Sequence, residues 1–518
     1  MKMKLLSVAL YTVFFSSSAL ASSFAIEEAS IRDVHKAFAS GSLTCVDLVQ
    51  GYLDRIKAYD QQGPALKAIL TINPKALEQA QALDTLFKKD PKKTGSLHCV
   101  PVILKDNFDT FDLPTSSGSV SMKNSVPLDD AFTVARMREA GALILAKSNL
   151  QEFARGGVSI SSLGGQTLNP YDLGLTPGGS SGGTGAALAA NFGLVGTGSD
   201  TGQSIRSPAS ANNLVGVRPT RGLISRDGVM PNSFTQDEIG PITRTVTDAA
   251  LMMDVMAGYD KADPITALGM GKKPASYTEQ LSTDALKGVR IALFETLLGE
   301  EARHQEVSKK MRELASQMEA LGATIVTLDM PELAELTKQV ATDNFEAKDA
   351  FASYFAQLPE HAPIKSFADL VAQKTASPAI QATLEKELAI QNGMQSDEYK
   401  TRMLNREKLR IALAAKMAEL NVSAILYPLQ SVLVSPIGQP NQPERNGVLS
   451  NGTGFPAVTF PAGFSSPTNT APQGVPIGAE LLGLDYTEPQ LLAYAYAFEQ
   501  AYRPRKLPLS TPPLKTKP

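Results

Sequence analysis

A chain of 518 residues with 43% hydrophobic and 19% charged content is long enough to bury a large core, as one large α/β domain or as two or three smaller ones. Its formal net charge of -3 leaves no basic surplus for a nucleic-acid backbone, so nucleic acid is not expected as a partner. Two cysteines and four histidines exclude a disulfide framework and a thiolate metal centre, and His35, His98, His304 and His361 lack metal-motif spacing; no metal and no cofactor is expected. One bridge between Cys45 and Cys99 is permitted, but the expectation is two unbridged thiols.

The first residues read as an export signal: Lys2 and Lys4, an apolar run over 5–15, a serine cluster, then Ala19, Leu20 and Ala21 as a small-residue cleavage site. The apolar run falls short of the ~20 residues that span a bilayer. The processed chain is expected to begin near Ser22, to be periplasmic or extracellular, and to have no stable membrane association. Residues 1–21 are thus assigned to the signal and 22–518 to a single domain.

Helical spacing of Val34, Ala37, Val46, Val49, Leu53 and Ile56 predicts two helices over 31–59, broken at Gly41 and Ser42, the second capped by Thr44. A strand over 66–72, a helix over 75–87 and a buried strand over 100–104 follow, the last delivering Lys105 at its end. The carboxyl edge of a strand is where α/β proteins place their chemistry. A helix over 129–140, stopped by Gly141, and a strand over 142–146 give the alternation of a mostly parallel sheet. The glycine-rich stretch 164–222 breaks the periodicity and reads as a long functional loop. Beyond it come helix 246–256, strand 289–294, helix 305–321 and strand 323–328. Residues 345–420 lack strand signals and read as a helical insertion against the sheet, placed to line a substrate entrance. Strands 424–427 and 457–460 and a helix over 489–501 close the chain.

The chemistry concentrates in Gly178, Gly179, Ser180, Ser181, Gly182 and Gly183, followed by Asp200, Thr201, Gly202, Gln203, Ser204, Ile205 and Arg206. A phosphate-binding loop needs Lys and then Ser or Thr after the glycines, where this chain has Thr184, Gly185 and Ala186; no G-x-G-x-x-G follows a strand either. The nucleophile elbow G-x-S-x-G is matched twice, centred on Ser180 and on Ser181. That motif requires a preceding strand, which Pro170 and Pro177 argue against. It also requires a downstream histidine, and His304 and His361 fall on polar helical segments. A serine without a histidine needs another base.

These residues resemble the amidase signature family, whose hallmark is a Ser-Ser-Lys triad. Residues 178–209 are similar to the family signature throughout, 97–107 resemble its lysine motif, and weaker similarity runs from about residue 31 to 502. The resemblance implies an α/β fold: one large domain with a mixed central sheet flanked by helices. It implies Ser204 as nucleophile, Ser180 as the bridging serine after a cis peptide bond, and Lys105 as the base behind it. It further implies an oxyanion hole from the backbone N–H groups of Thr201, Gly202 and Gln203, with that of Ser204 as a further candidate. Gln203 and Cys99 stand where glycine is common in the family, and both bear on the shape of the pocket.

The chemistry supports these roles independently. Neutral lysine can take a serine proton if its pKa falls from about 10.4 into the neutral range, a shift of about 3 units or roughly 4 kcal/mol that burial can supply; Val102, Ile103 and Leu104 suit such burial. Asp200 and Arg206 are expected to form a buried pair that fixes the loop. Ser181 is expected either to contribute a hydrogen bond near Ser204 or to cap the helix opening at Gly183, the structural role being favoured, His98 to be an ordinary neighbour, and Asp106 and Asn107 to orient the loop after Lys105. The expected function is an exported serine amidohydrolase that cleaves a small-molecule or peptide amide, with aryl acylamides and peptide amides as leading substrates. The alternative is the ammonia-transfer subunit of a tRNA-dependent glutamine amidotransferase, which shares the signature; the export signal speaks against it.

Overall fold

Eleven strands join into one mixed sheet in the computed structural model, which describes residues 24–514. The expected export signal, 1–21, lies outside the described residues. The amino-terminal elements are α1 (Ile31–Ser40), α2 (Cys45–Tyr59), β1 (Ile69–Ile72), α3 (Ala76–Lys89), β2 (Pro101–Lys105), α4 (Phe132–Glu139) and β3 (Leu143–Ser148). A small hairpin, β4 (Ile160–Ser161) with β5 (Gly165–Gln166), precedes α5 (Gly182–Ala189), β6 (Val195–Asp200), α6 (Arg206–Ala211), β7 (Val215–Arg218), β8 (Glu238–Thr243) and α7 (Val246–Met256). Then come β9 (Arg290–Phe294), α8 (Gln305–Ala320), β10 (Thr324–Leu328) and the helices α9 (Leu333–Leu336), α10 (Asp343–Phe355), α11 (Phe367–Ala372), α12 (Pro378–Ala389) and α13 (Asp397–Leu420). The chain closes with β11 (Ala424–Pro428), α14 (Val448–Thr453), β12 (Ala457–Phe464), β13 (Pro476–Leu482) and α15 (Glu488–Tyr502).

The strand order is β1-β3-β2-β6-β8-β7-β12-β13-β11-β9-β10. Strand β2 runs parallel to β3 and β6, and β9 runs parallel to β10 and β11; the other pairings of the sheet are antiparallel. This corrects the mostly parallel sheet drawn from helix–strand alternation and agrees with the mixed sheet implied by the resemblance. Alternation holds only on the flanks, where α4 crosses from β2 to β3 and α8 from β9 to β10. In the middle, β12 turns straight back into β13 without a helix, so those strands pair antiparallel.

Local chemistry sets the element boundaries. The hydroxyl of Thr44 accepts the Asp47 N–H at the start of α2, the expected cap. Every residue of β2 is buried: the strand lies inside the sheet between β3 and β6 and packs against α5. The stretch 164–222 is not one long loop: it contains α5, β6, α6 and β7. Strands β8 and β13 were also not foreseen. Strand β8 carries Gly240 and Pro241, residue types common in turns. A Cβ on Gly240 would lie 2.0 Å from the Val217 carbonyl oxygen, so glycine there permits strand approach rather than a turn. Pro241 faces Thr197 of β6, while β7 pairs with β8 through Ile242 and Thr243, beyond the proline.

The two cysteines are bridged, contrary to expectation. Cys45 opens α2 and Cys99 lies in the turn before β2, with their Cα atoms 5.8 Å apart. Helix α2 packs on α3, where Asp84 accepts the Cys45 N–H at 2.7 Å, and the bridge joins α2 to the turn before β2, a long-range contact that the spacing of two cysteines does not encode. Among the described residues no helix is long and apolar enough to cross a membrane.

Candidate active site

Strand β2 ends on Lys105 inside the protein, with the side chain fully buried. The Lys105 Nζ lies 2.7 Å from Ser180 Oγ, 2.8 Å from Ser199 Oγ and 3.2 Å from the Ser199 carbonyl oxygen. A neutral amine has two N–H donors and one lone pair, so donation to the two Ser199 oxygens leaves the lone pair for the Ser180 hydroxyl. Burial pushes the Lys105 pKa down to about 7, with the charges of Asp200 and Asp237 pulling the other way. Ser199, which the sequence reading did not single out, is fixed in turn by Asn107, whose Nδ2 donates to Ser199 Oγ at 3.0 Å. Asp106 orients the same turn by accepting the Ser116 and Gly118 N–H groups at 3.2 and 3.3 Å, and it pairs with buried Lys147 at 3.5 Å.

Ser180 sits between the small hairpin and α5, and its peptide bond with Gly179 is cis. Its carbonyl accepts the Gln151 N–H at 2.9 Å, and the Ser159 hydroxyl donates to the Gly178 carbonyl at 2.8 Å. The glycines that follow permit close contact with the segment after β3: a Cβ on Gly183 would stand 2.1 Å from the Asn149 carbonyl oxygen. Ser181 occupies the cap position of α5, but its side chain makes no capping bond and donates to the Ser199 carbonyl at 3.4 Å, so the expected cap is corrected to a brace on β6.

Ser204 lies in the loop between β6 and α6. It is 7% exposed, whereas Lys105 and Ser180 are at 0%, so Ser204 is the most exposed of the three residues. The Ser181 N–H donates to the Ser204 carbonyl at 3.3 Å and joins the two serine segments. No hydrogen bond links the Ser180 and Ser204 hydroxyls among the described residues. The N–H groups of Thr201, Gly202, Gln203 and Ser204 have no protein acceptor among the described residues, while their carbonyls are occupied. Gln236 Nε2 donates to the Thr201 carbonyl at 3.2 Å; Asn451 Nδ2 and Arg206 Nη2 each donate to that of Gly202 at 2.7 Å; the Ser207 N–H donates to that of Gln203 at 2.7 Å. Four consecutive free N–H groups form a cradle suited to an oxyanion. The side-chain amide of Gln203 is buried without a hydrogen-bond partner, against Gly447, where a Cβ would come 2.7 Å from Gln203 Cβ.

Beneath this loop the expected Asp200–Arg206 pair is present, fully buried, with Arg206 Nε donating to Asp200 Oδ2 at 3.1 Å. It belongs to a larger network. Arg218 donates to Asp200 Oδ1 at 2.9 Å, Arg206 Nη1 to Glu480 Oε1 at 2.8 Å, and the Ile205 N–H to Asp200 Oδ2 at 3.0 Å. Burial would raise the Asp200 carboxyl, but Arg206 and Arg218 outweigh it and hold the pKa well below the usual range. Glu480 was beyond the sequence reading because β13 lies far from the motif along the chain, and Arg218, although near it, reaches Asp200 only through the pairing of separate strands. His98 is the ordinary neighbour expected, buried and stacked on Phe87 with ring centroids 5.5 Å apart.

A cavity of about 150 Å³ adjoins the site. It is bounded by Ser199, Thr201, Met230, Asn232 and, from α10, Ser353 and Tyr354, so the helical segment does reach the region beside the reactive loop. The Tyr354 hydroxyl donates to Asp109 at 2.7 Å and ties α10 to the chain following Lys105.

A buried lysine with a lowered pKa, two serine segments in contact and a cradle of free N–H groups are the parts of an amide-cleaving serine hydrolase. The family model described as Amidase matches residues 47–492, and the chain belongs to this family of hydrolases acting on amide C–N bonds. It is 34% identical over 513 residues to an Arabidopsis thaliana protein named as a probable amidase, covering 94% of this chain and 93% of that one. It is 33% identical over 491 residues to a glutamyl-tRNA(Gln) amidotransferase subunit of Alkaliphilus metalliredigens, covering 92% of this chain and 96% of the relative. The crystal structure of the peptide amidase from Stenotrophomonas maltophilia superposes with a TM-score of 0.85 at 34% identity, covering 93% of this chain and 98% of that one.

Proposed function

We propose that this chain is an exported serine amidohydrolase that cleaves peptide amides to an acid and ammonia or an amine, through an acyl-enzyme on Ser204. The observation that carries the reading is the 2.7 Å contact of Lys105 Nζ with Ser180 Oγ, at a lysine lowered to about 7. Neutral Lys105 takes the Ser180 proton while Ser180 Oγ takes that of Ser204, and Ser204 Oγ bonds to the amide carbon. The oxyanion is received by the N–H groups of Thr201, Gly202, Gln203 and Ser204. The relay then returns its proton to the leaving nitrogen as the C–N bond breaks. Water, deprotonated through the same relay, cleaves the ester and restores Ser204. The Ser180–Ser204 hydrogen bond closes when substrate fills the site, since catalytic contacts commonly tighten only in the complex.

Similarity to a peptide amidase along 93% of the chain supports the substrate class. Export is supported by the signal pattern at 1–21 and by the Cys45–Cys99 bridge, because disulfides persist in oxidising compartments. Assays on a dipeptide amide, an acetanilide, acetamide and a long-chain acyl amide are expected to give the highest kcat/KM for the dipeptide amide; preference for the acetanilide would move the substrate to the aryl acylamides. The amidotransferase relatives favour a second reading, ammonia transfer within a multisubunit complex. Size-exclusion chromatography with such subunits and tRNA is expected to show no complex, and a stable one would replace the proposal.

A further inference from the structure

Each N–H of the oxyanion cradle belongs to a peptide plane whose carbonyl is pinned on the opposite side. A trans peptide unit is rigid, so fixing the C=O of one residue fixes the N–H of the next in the reverse direction. Arg218 Nη1 donates to the Asp200 carbonyl, which sets the Thr201 N–H. Gln236 on the Thr201 carbonyl at 3.2 Å sets the Gly202 N–H, and Asn451 with Arg206 on the Gly202 carbonyl at 2.7 Å sets the Gln203 N–H. Arg206 and Arg218 are also tied to the Asp200 carboxylate, whereas Gln236 and Asn451 come from elsewhere in the chain. Both are held by the helical segment. The Thr342 hydroxyl, just before α10, donates to Gln236 Oε1 at 2.8 Å. Arg406 of α13 donates to the Asn451 carbonyl at 2.8 Å and to the Thr235 carbonyl at 3.0 Å.

We propose that Asn451 and Gln236 are positioning residues that aim the Gln203 and Gly202 N–H groups at the developing oxyanion, with Arg406 as the brace shared by their two segments. The inference rests on the acyl-enzyme reading above. It gives the helical segment 343–420 a role in turnover as well as in bounding the cavity.

The test uses Asn451→Asp and Gln236→Glu in the full chain, which keep side-chain volume and remove the donating amide. Both variants are expected to lose about 10–100-fold in kcat with KM within about twofold, short of the roughly 100–1000-fold that removal of a whole oxyanion donor brings. The same factor is expected on an amide and on the corresponding ester, and the affinity of a peptide aldehyde, which mimics the tetrahedral state, is expected to fall with kcat. Thermal midpoints measured alongside identify a misfolded variant, in which case the other carries the test. Unchanged kcat, a change confined to KM, or a factor that differs between amide and ester would overturn the assignment. Ser204→Ala separates the two levels: if it is inactive while both amide variants retain full kcat, only the positioning role falls, and if it turns over, the acyl-enzyme reading falls.

Discussion

The two serine segments of the site are built on opposite plans. Around Ser180, glycines let the chain press against the loop at 157–159, Asn149 and Ser207, and both Ser180 and Ser181 are sealed from solvent. Around Ser204, the backbone turns its carbonyls into the protein and leaves four successive N–H groups free beside the most exposed of the three polar groups. The first plan suits a proton carrier that must be shielded so that its lysine stays neutral; the second suits an attacking group that must meet substrate. On the proposed mechanism, a glycine-rich cluster is therefore a poor guide to the reacting serine. The direction of the backbone N–H groups is a better one.

Removing single groups breaks this comparison most sharply. Ser204→Ala is expected to lower kcat on the order of 10⁶-fold, the scale of a lost serine nucleophile. Lys105→Ala and Ser180→Ala are expected to lose about 10²–10⁴-fold, the range for general-base catalysis, in steady-state assays at pH 8; near-normal rates in either would remove the relay. Asp200→Ala leaves two buried guanidiniums without their carboxylate, so denaturant unfolding is expected to show a loss of about 3–5 kcal/mol. For pH, the proposed mechanism uses Lys105 as the neutral base, with its pKa lowered by burial to about 7. Activity is therefore present above that pH and falls roughly tenfold per unit below it, because the charged amine accepts no proton. A kcat/KM profile flat between pH 5 and 8 would contradict the assignment. Ser181→Ala loses only a 3.4 Å contact and is expected to change kcat less than about threefold, the scale of a weak hydrogen bond near 0.5 kcal/mol. The contrast between neighbouring Ser180 and Ser181 sharpens the division of roles.

Much of the site could be read from the sequence because its parts lie in short segments: Lys105 after an apolar strand, and the serines among glycines with Asp200 and Arg206 close by. The mixed sheet came from family resemblance, since alternation alone suggested mostly parallel strands. Gly240 is hard to read locally, because a glycine that permits close strand approach in the folded sheet resembles a turn residue in isolation. Ser199, Gln236, Asn451, Arg218 and Glu480 carried no local signal. Their roles arise where separate strands and helices meet, as does the Cys45–Cys99 bridge.

In the proposed mechanism Ser204, activated through Ser180 and Lys105, is the attacking residue. Treating the full-length protein with a serine-directed fluorophosphonate at pH 8 and mapping the adduct by peptide mass spectrometry tests it directly. The account predicts one adduct, on Ser204, formed far more slowly in Lys105→Ala; an adduct on Ser180 or Ser181, or equal labelling without Lys105, would contradict it.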